Sequence, residues 1–301
     1  MSVHEPILNF ALNALVDRVR AMTGSQSNLD DFMLPKGDRG LFGPDSIIWR
    51  VHANFTAMMV GGLSSLMVQS LHSRALSAVW DHSDFRGKLK ERLGRTAYFV
   101  AATTYGSTSL AIGVIRRVNT IHANIRGVDL QGLPYIANEP DLIRWVHLAE
   151  ASSFLSAYQH LSRAPLTEAE CDQYMCEMAQ IGHFLGAVDL PLTWQSTKSE
   201  LAGYIHQLKF DDRAKEIFRV VENYPTDLLD KPFMHLTLQA AFDVMPIWVL
   251  EFIERQPSCA FQVQATKLAL HLGSEPVQWM LDQRGVCAVA RQRVNGKDSG
   301  D

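Results

Sequence analysis

The sequence lacks the signals that mark most enzyme folds. No Gly-x-Gly-x-x-Gly segment opens a helix after a strand, so the backbone cradle for a dinucleotide pyrophosphate is missing. There is no Walker loop, no Gly-x-Ser-x-Gly nucleophile elbow and no His-Glu-x-x-His zinc helix. Four cysteines, at 171, 176, 259 and 287, form no Cys-x-x-Cys metal pair and no Cys-x-x-Cys-His site for covalent haem. They are too few and too scattered for a disulfide framework, which points to reduced thiols. Basic charge is not in excess: 28 Lys and Arg face 32 Asp and Glu, a net charge of −4. That removes the phosphate-neutralising drive for nucleic acid. Alternating runs of β-branched and aromatic residues closed by tight turns are scarce, so no sizeable sheet is expected.

Long charge-free stretches are present. Neither the segment between Arg50 and Arg74 nor that between Arg95 and Arg116 contains Lys, Arg, Asp or Glu. Both carry many Ser, Thr, Asn, Gln or His residues, which is too polar for a bilayer span of about 20 apolar residues. They fit helices buried on nearly all sides within a helical domain. The start of the chain has no basic region ahead of a long apolar core, so a secretory signal is not expected. Ile7, Leu8, Ala11, Leu15 and Val19 recur at helical spacing and predict an amphipathic helix over 6–22. Its polar face is not basic, so packing on the domain is expected rather than contact with a membrane surface.

With 301 residues and 47% hydrophobic content, the chain can bury a large core. Helix signals are plentiful. Ser46 precedes a long apolar segment. Pro140 suits a first helical position. Thr167 with Glu170, and Thr197 with Glu200, have capping-box spacing. The pattern predicts helices near 6–22, 45–79, 88–125, 140–162, 167–187, 197–209, 211–222, 233–254, 258–272 and 275–292, with loops at 24–44, 127–139 and 187–196. No solenoid repeat or low-complexity linker divides the chain. One all-α domain over residues 1–301 is expected.

Eleven histidines are the chemical resource of the sequence. His4, His160, His206, His235 and His271 stand singly, as hydrogen-bonded core histidines do. Three groups differ. His122 closes a long uncharged helix behind Arg116 and Arg117, ahead of Gly127. His147 lies in Trp145-Val146-His147, with Glu150 one turn on. His72 and His82 flank Trp80-Asp81. A loop of about fifteen residues lets the helices of His122 and His147 run antiparallel, with the two histidines expected near one another in space. A histidine aimed between apolar helices suits a haem iron or another bundle metal. Arg92, Arg95, Arg116 and Arg117 suit haem propionates, because a guanidinium pairs with a carboxylate, or they are solvated surface charges. A di-iron carboxylate site needs Glu-x-x-His, and here His147 and Glu150 stand in the reverse order.

The ordered residues Arg117, His122, Gly127, Tyr135, Ala137, Pro140, Trp145-Val146-His147, Ser153, Tyr158, Thr167 with Glu168, Tyr174, Gly186, Pro191 and Thr193 carry a resemblance. Upstream, Gly61-Gly62, Gln69, His72, His82-Ser83, Phe85 and Arg95-Thr96 extend it. The sequence resembles, over about residues 38–255, the family sharing a catalytic domain with latex-clearing protein (rubber oxygenase) and with the ER-bound oxygenase of mycophenolic acid biosynthesis. The resemblance implies an all-helical fold and a non-covalent b-type haem used with dioxygen. It implies His147 as the axial iron ligand. It places His122 where latex-clearing protein has a Lys, and Arg117 or Arg116 at the Arg of that motif.

The expected function is therefore a haem b-dependent oxygenase or peroxygenase. Its expected substrate is an apolar small molecule, and its oxidant dioxygen or peroxide. His147 holds the iron, and His122 and Arg117 act on the opposite face. Arg117, Arg116, Arg95 and Arg92 anchor the cofactor, and Glu150 either orients a ligand group or is a helix-surface acid. The competing expectations are a haem sensor or carrier without turnover, and a helical protein with no cofactor. A cytoplasmic location is expected.

Overall fold

The longest apolar helices pair first. Helix α2 (Phe55–Gln69) and helix α6 (Pro140–Leu161) form the most extensive contact between elements in the molecule. They run antiparallel, with Gly61 against Ser153 and Phe154 at one end and Gln69 against Trp145 and Val146 at the other. Close approach depends on small side chains. A Cβ on Gly61 would lie 2.9 Å from the Phe154 Cα and 3.0 Å from the Ser153 carbonyl oxygen. Buried Ser64, Ser65, Ser152 and Ser153 line the same pair. Trp145, Leu155 and Met67 are fully buried around it. Each large apolar side chain contributes roughly 1.5–3 kcal/mol by leaving water.

The structure, a computed structural model, describes residues 28–296. The helix expected over 6–22 and the polar tail beyond 296 lie outside the described residues. Within them the chain is one all-α domain, with helices α1 (Ile47–His52), α3 (Ser73–His82), α4 (Phe85–Tyr105), α5 (Thr108–Ala123), α7 (Glu168–Leu185), α8 (Trp194–Gly203), α9 (Asp212–Glu222), α10 (Lys231–Asp243), α11 (Ile247–Phe252), α12 (Ala260–Arg284) and α13 (Val286–Asn295). Helices α7 and α8 cover one side of α6. Helices α10 and α12 cover α2, and α4 pairs with α5. Among the described residues the strand content is one short antiparallel ladder, β1 (Arg126–Val128) with β2 (Pro134–Ile136). It falls in the expected loop at 127–139.

Several expected helices divide. The stretch 45–79 becomes α1, α2 and α3, because Asn54 and His72 turn their side chains back to cap new helices, accepting from Ala57 N and Ala75 N. The stretch 88–125 divides at Gly106 and Ser107, where the Ser107 hydroxyl caps α5. Pro246 splits 233–254 into α10 and α11. Conversely, 258–272 and 275–292 do not separate at Pro276. Helix α12 runs through it to Arg284. The capping box at Thr167 and Glu170 is present. The one expected at Thr197 is replaced by Thr193 with Ser196, and Thr197 is buried inside α8.

The ladder and a set of polar contacts set the angle at which α6 begins. Gly127 faces Tyr135, and a Cβ there would lie 2.6 Å from the phenol oxygen. That phenol donates to Asp81 on α3 at 3.0 Å. Arg74, also on α3, pairs with Glu139 directly before Pro140 and donates to the Pro134 carbonyl. One turn into α6, Trp145 Nε1 donates to the Gln69 carbonyl at 3.1 Å, and Gln69 Nε2 donates to the Val146 carbonyl at 3.4 Å. These bonds fix the rotation of α6 just ahead of His147.

Candidate functional site

His147 is turned inward from α6 toward α7 and is buried. Neither of its ring nitrogens has a hydrogen-bond partner. Burial pushes its imidazole down to about 4, so it is neutral at pH 7. The Met178 carbonyl on α7 pulls weakly the other way without reaching hydrogen-bond geometry. Most buried polar atoms are paired, and an unpaired one costs about 1–3 kcal/mol. An imidazole left without a hydrogen-bond partner in a buried setting is available to donate a lone pair. Helix α7 crosses the ring at Gly182. A Cβ there would lie 2.9 Å from His147 Nε2, 2.8 Å from its Cδ2 and 2.4 Å from Leu190 Cδ1. The absence of a side chain at residue 182 lets the α7 backbone close on the Nε2 edge of the ring. A neutral, buried imidazole is the donor type that the axial position of a haem takes.

His122 lies at the C-terminal end of α5, half-buried, with Nδ1 buried and unpartnered. Burial lowers its basicity first, and the nearby Arg92 charge lowers it further. Asn119, one turn earlier, donates to the Phe184 carbonyl on α7 at 2.9 Å. Helix α5 thus meets the end of α7 at Asn119, one turn before His122, while His147 meets α7 at residues 178–182. Arg92 is half-buried on α4 and donates to Ser83 Oγ at 3.0 Å. Desolvation, then the neighbouring Arg95 charge, lowers its guanidinium from the usual value. Arg95, Arg116 and Arg117 are exposed. Arg117 acts electrostatically on Tyr98, not on His122. Five residues apart at about 100° each, Arg117 and His122 lie on different faces of α5.

Glu150 follows His147 by one turn. Desolvation raises its carboxyl to about 7, and no charged partner offsets this. Its charge bears on Tyr174. Tyr174 belongs to a buried polar chain that spacing alone did not reveal. The Tyr174 hydroxyl lies 3.0 Å from His52 Nε2, and His52 Nδ1 lies 2.8 Å from Thr104 Oγ1. The chain ties α7, α1 and α4 together. Burial drives His52 down to about 3. The sequence signal for it was a His at the start of the charge-free stretch after Arg50 and a Tyr within the family pattern. Glu177 was also missed. It is buried and accepts from Ile47 N and Ile48 N, so it caps α1 from across the fold.

The third histidine group is structural. His72 caps α3, pairs with Gln207 at 3.3 Å and packs on Trp145 and Tyr204. His82 packs edge-on against Tyr135. His206 and His235, expected in the core, are exposed, His206 on the short turn Tyr204–Gln207 and His235 on the outer side of α10, where a polar ring keeps its hydration. His160 and His271 are half-buried, and His4 lies outside the described residues. Among the described residues no cluster of three or more His, Cys, Asp or Glu is placed to hold a metal ion, so a di-iron carboxylate centre has no ligand set there. Two surface clefts are lined elsewhere. One, of about 540 Å³, is bordered by Asp141, Glu200 and Tyr204. The other, of about 250 Å³, is bordered by Asn54, Leu161 and His271.

The family described as ER-bound oxygenase mpaB/B'/Rubber oxygenase, catalytic domain, matches residues 49–270. The chain belongs to this family. The match runs from Trp49 in α1 to Leu270 in α12 and contains His52, His122, His147, Glu150 and Tyr174. Membership makes the chain an oxygenase-type catalytic domain. No curated protein and no solved structure matches the chain. Among the described residues no helix is long and apolar enough to cross a membrane.

Proposed function

We propose that this chain is a haem b-dependent oxygenase or peroxygenase acting on an apolar small molecule. The observation that carries the proposal is His147: a neutral, buried imidazole with both nitrogens idle, beside a glycine where any side chain would collide with it. Haem, once bound, supplies the dioxygen or peroxide chemistry that side chains lack. His147 holds the iron. The three-way contact of Trp145, Gln69 and Val146 fixes its helix against rotation. His122 is kept neutral by burial and by Arg92, so its free nitrogen accepts a proton at pH 7. Arg92, beside His122, and the exposed Arg95, Arg116 and Arg117 are the carboxylate-binding groups available to haem propionates. Glu150, with a carboxyl near 7, holds or releases a proton close to neutrality. The cytoplasmic setting expected from cysteine usage belongs to the same proposal.

A second reading is a haem carrier or sensor without turnover. It rests on His122 also having an unpartnered nitrogen, which suits a site closed by two histidines. The first test is retention of the cofactor. His147→Ala should fold, by circular dichroism, and lose most of the haem bound by the parent chain, by pyridine haemochromogen assay. Full haem retention in that variant would remove His147 as the ligand.

A further inference from the structure

A short exposed ladder is expected to carry polar or charged residues on its outer face and edges. The β1–β2 ladder departs from this. Its register pairs Arg126 with Ile136, Gly127 with Tyr135 and Val128 with Pro134. Gly127 and Tyr135 face inward toward α3, so Arg126, Val128, Pro134 and Ile136 face outward together. Val128 and Ile136 are 58% and 40% exposed, and the loop between the strands adds Leu130 and Leu133 at 55% and 53%. Between Ile121 and Asn138 the charged residues are Arg126 and Asp129, and Asp129 is buried. An apolar group of this kind, concentrated on one projecting hairpin, marks a surface that meets something other than water.

The loop's own bonds hold these side chains out. The Asp129 carboxylate accepts from the Gln131 and Leu133 N–H groups at 2.9 and 2.8 Å. Asp129 N donates to the Leu133 carbonyl at 2.8 Å, and Gly132 N to the Asp129 carbonyl at 3.0 Å. Ser73, at the start of α3, donates to the same carboxylate at 3.0 Å. The N–H groups of Asp129, Gln131, Gly132 and Leu133 are therefore satisfied within the loop, as a setting poor in water requires. The same bonds deny an incoming strand a row of free donors at the tip, which disfavours strand addition by another protein. The charge at the base of the hairpin is positive. Arg126 is exposed on its outer face, and Arg116 and Arg117 are exposed on α5, the helix that leads into β1. Among the described residues no carboxylate lies within ion-pair distance of these three. Glu139, just beyond β2, is taken by Arg74. An apolar tip with a guanidinium at its base complements an anionic bilayer surface, where side chains meet acyl chains and cations meet phosphates.

We propose that the β1–β2 hairpin docks this chain on an anionic lipid surface, with Val128, Leu130, Leu133 and Ile136 entering the boundary between headgroups and acyl chains and Arg126 meeting the lipid phosphates. The proposal stands independently of the haem reading. The test is flotation of the purified full chain with vesicles of equal parts phosphatidylcholine and phosphatidylglycerol, and with vesicles of phosphatidylcholine alone. The parent chain should float with the mixed vesicles. Leu130→Asp/Leu133→Asp should lower that partitioning at least about tenfold. Arg126→Gln should lower it about fivefold on the mixed vesicles and leave partitioning to phosphatidylcholine alone unchanged. Leu268→Asp/Leu272→Asp, on the exposed side of α12, should leave both unchanged. All four leucines are largely exposed, so neither double variant is expected to unfold the domain, and circular dichroism checks this. Val128→Thr/Ile136→Thr keeps β-branched residues in the ladder and should also lower partitioning to the mixed vesicles. Absence of vesicle binding by the parent chain would overturn the proposal. Binding that survives the Leu130→Asp/Leu133→Asp change, or that is lost with the α12 change, would overturn it too. A dimer by light scattering that disperses in Leu130→Asp/Leu133→Asp, with no vesicle binding by the parent chain, would overturn it in favour of a second copy on this face.

Discussion

At the residue scale the site is defined by titratable groups held away from their ordinary ionisation. His52 is neutral in the fold because burial lowers it from 6.5 to about 3. The unfolded chain takes up that proton near 6.5, so the stability His52 allows is complete at neutral pH and falls away as pH drops from about 6.5 toward 3. Glu150 works in the opposite direction. Its carboxyl is raised from 4.5 to about 7, so the fold prefers the protonated form. Its contribution is complete below about 4.5 and is lost as pH rises through 7. Urea unfolding followed from pH 4 to pH 8 should therefore flatten at the acid side in His52→Gln and at the neutral side in Glu150→Gln. A variant profile parallel to that of the parent chain would contradict the assigned environment. The sequence displayed His147 and His122 because each sits in a local pattern, an apolar helix beside a tryptophan or a helix end behind arginines. It did not display the Thr104–His52–Tyr174 chain, because those three residues come from α4, α1 and α7 and meet only through packing.

At the element scale the controlling feature is close approach between helices. Gly61 lets α2 touch the backbone of α6, and Gly182 lets α7 touch the ring of His147. Gly182→Ala should turn the imidazole and lower haem retention. Gly203→Ala, where an added Cβ meets nothing within 4 Å, should leave retention unchanged. Equal retention in the two variants would show that the clearance at residue 182 has no bearing on the ligand. Helix type and order were legible in the chain because apolar periodicity and caps are local signals. The interruptions were less so. Asn54 and His72 read as polar residues inside a buried run, and only their bonds to Ala57 N and Ala75 N show them to be caps. A boundary was expected between 272 and 275, just ahead of Pro276, yet α12 continues through it, with Val277 and Met280 buried beyond the proline. Tertiary contact there outweighs the lost backbone bond.

At the scale of the whole molecule, a bundle built on the α2–α6 pair buries His147 against α7 and belongs to a family of oxygenase catalytic domains. The family was legible in the sequence because its pattern is a long ordered set: Trp145-Val146-His147 on α6, Gly186 at the left-handed end of α7 and Thr193 capping α8. The relation of the arginines to the histidines was not, since exposure and helix face decide it. Arg92 stands by His122, and Arg117 stands by Tyr98. The central claim is that His147 holds a haem whose other face is open to an oxidant. The measurement that tests it most directly is the absorption spectrum of the purified protein supplied with haem during expression, taken oxidised, reduced, and reduced with carbon monoxide. The account predicts a Soret band that shifts on adding carbon monoxide. A Soret band that ignores carbon monoxide would indicate a site closed by two histidines and favour the carrier or sensor, and no Soret band at all would contradict haem binding by this chain.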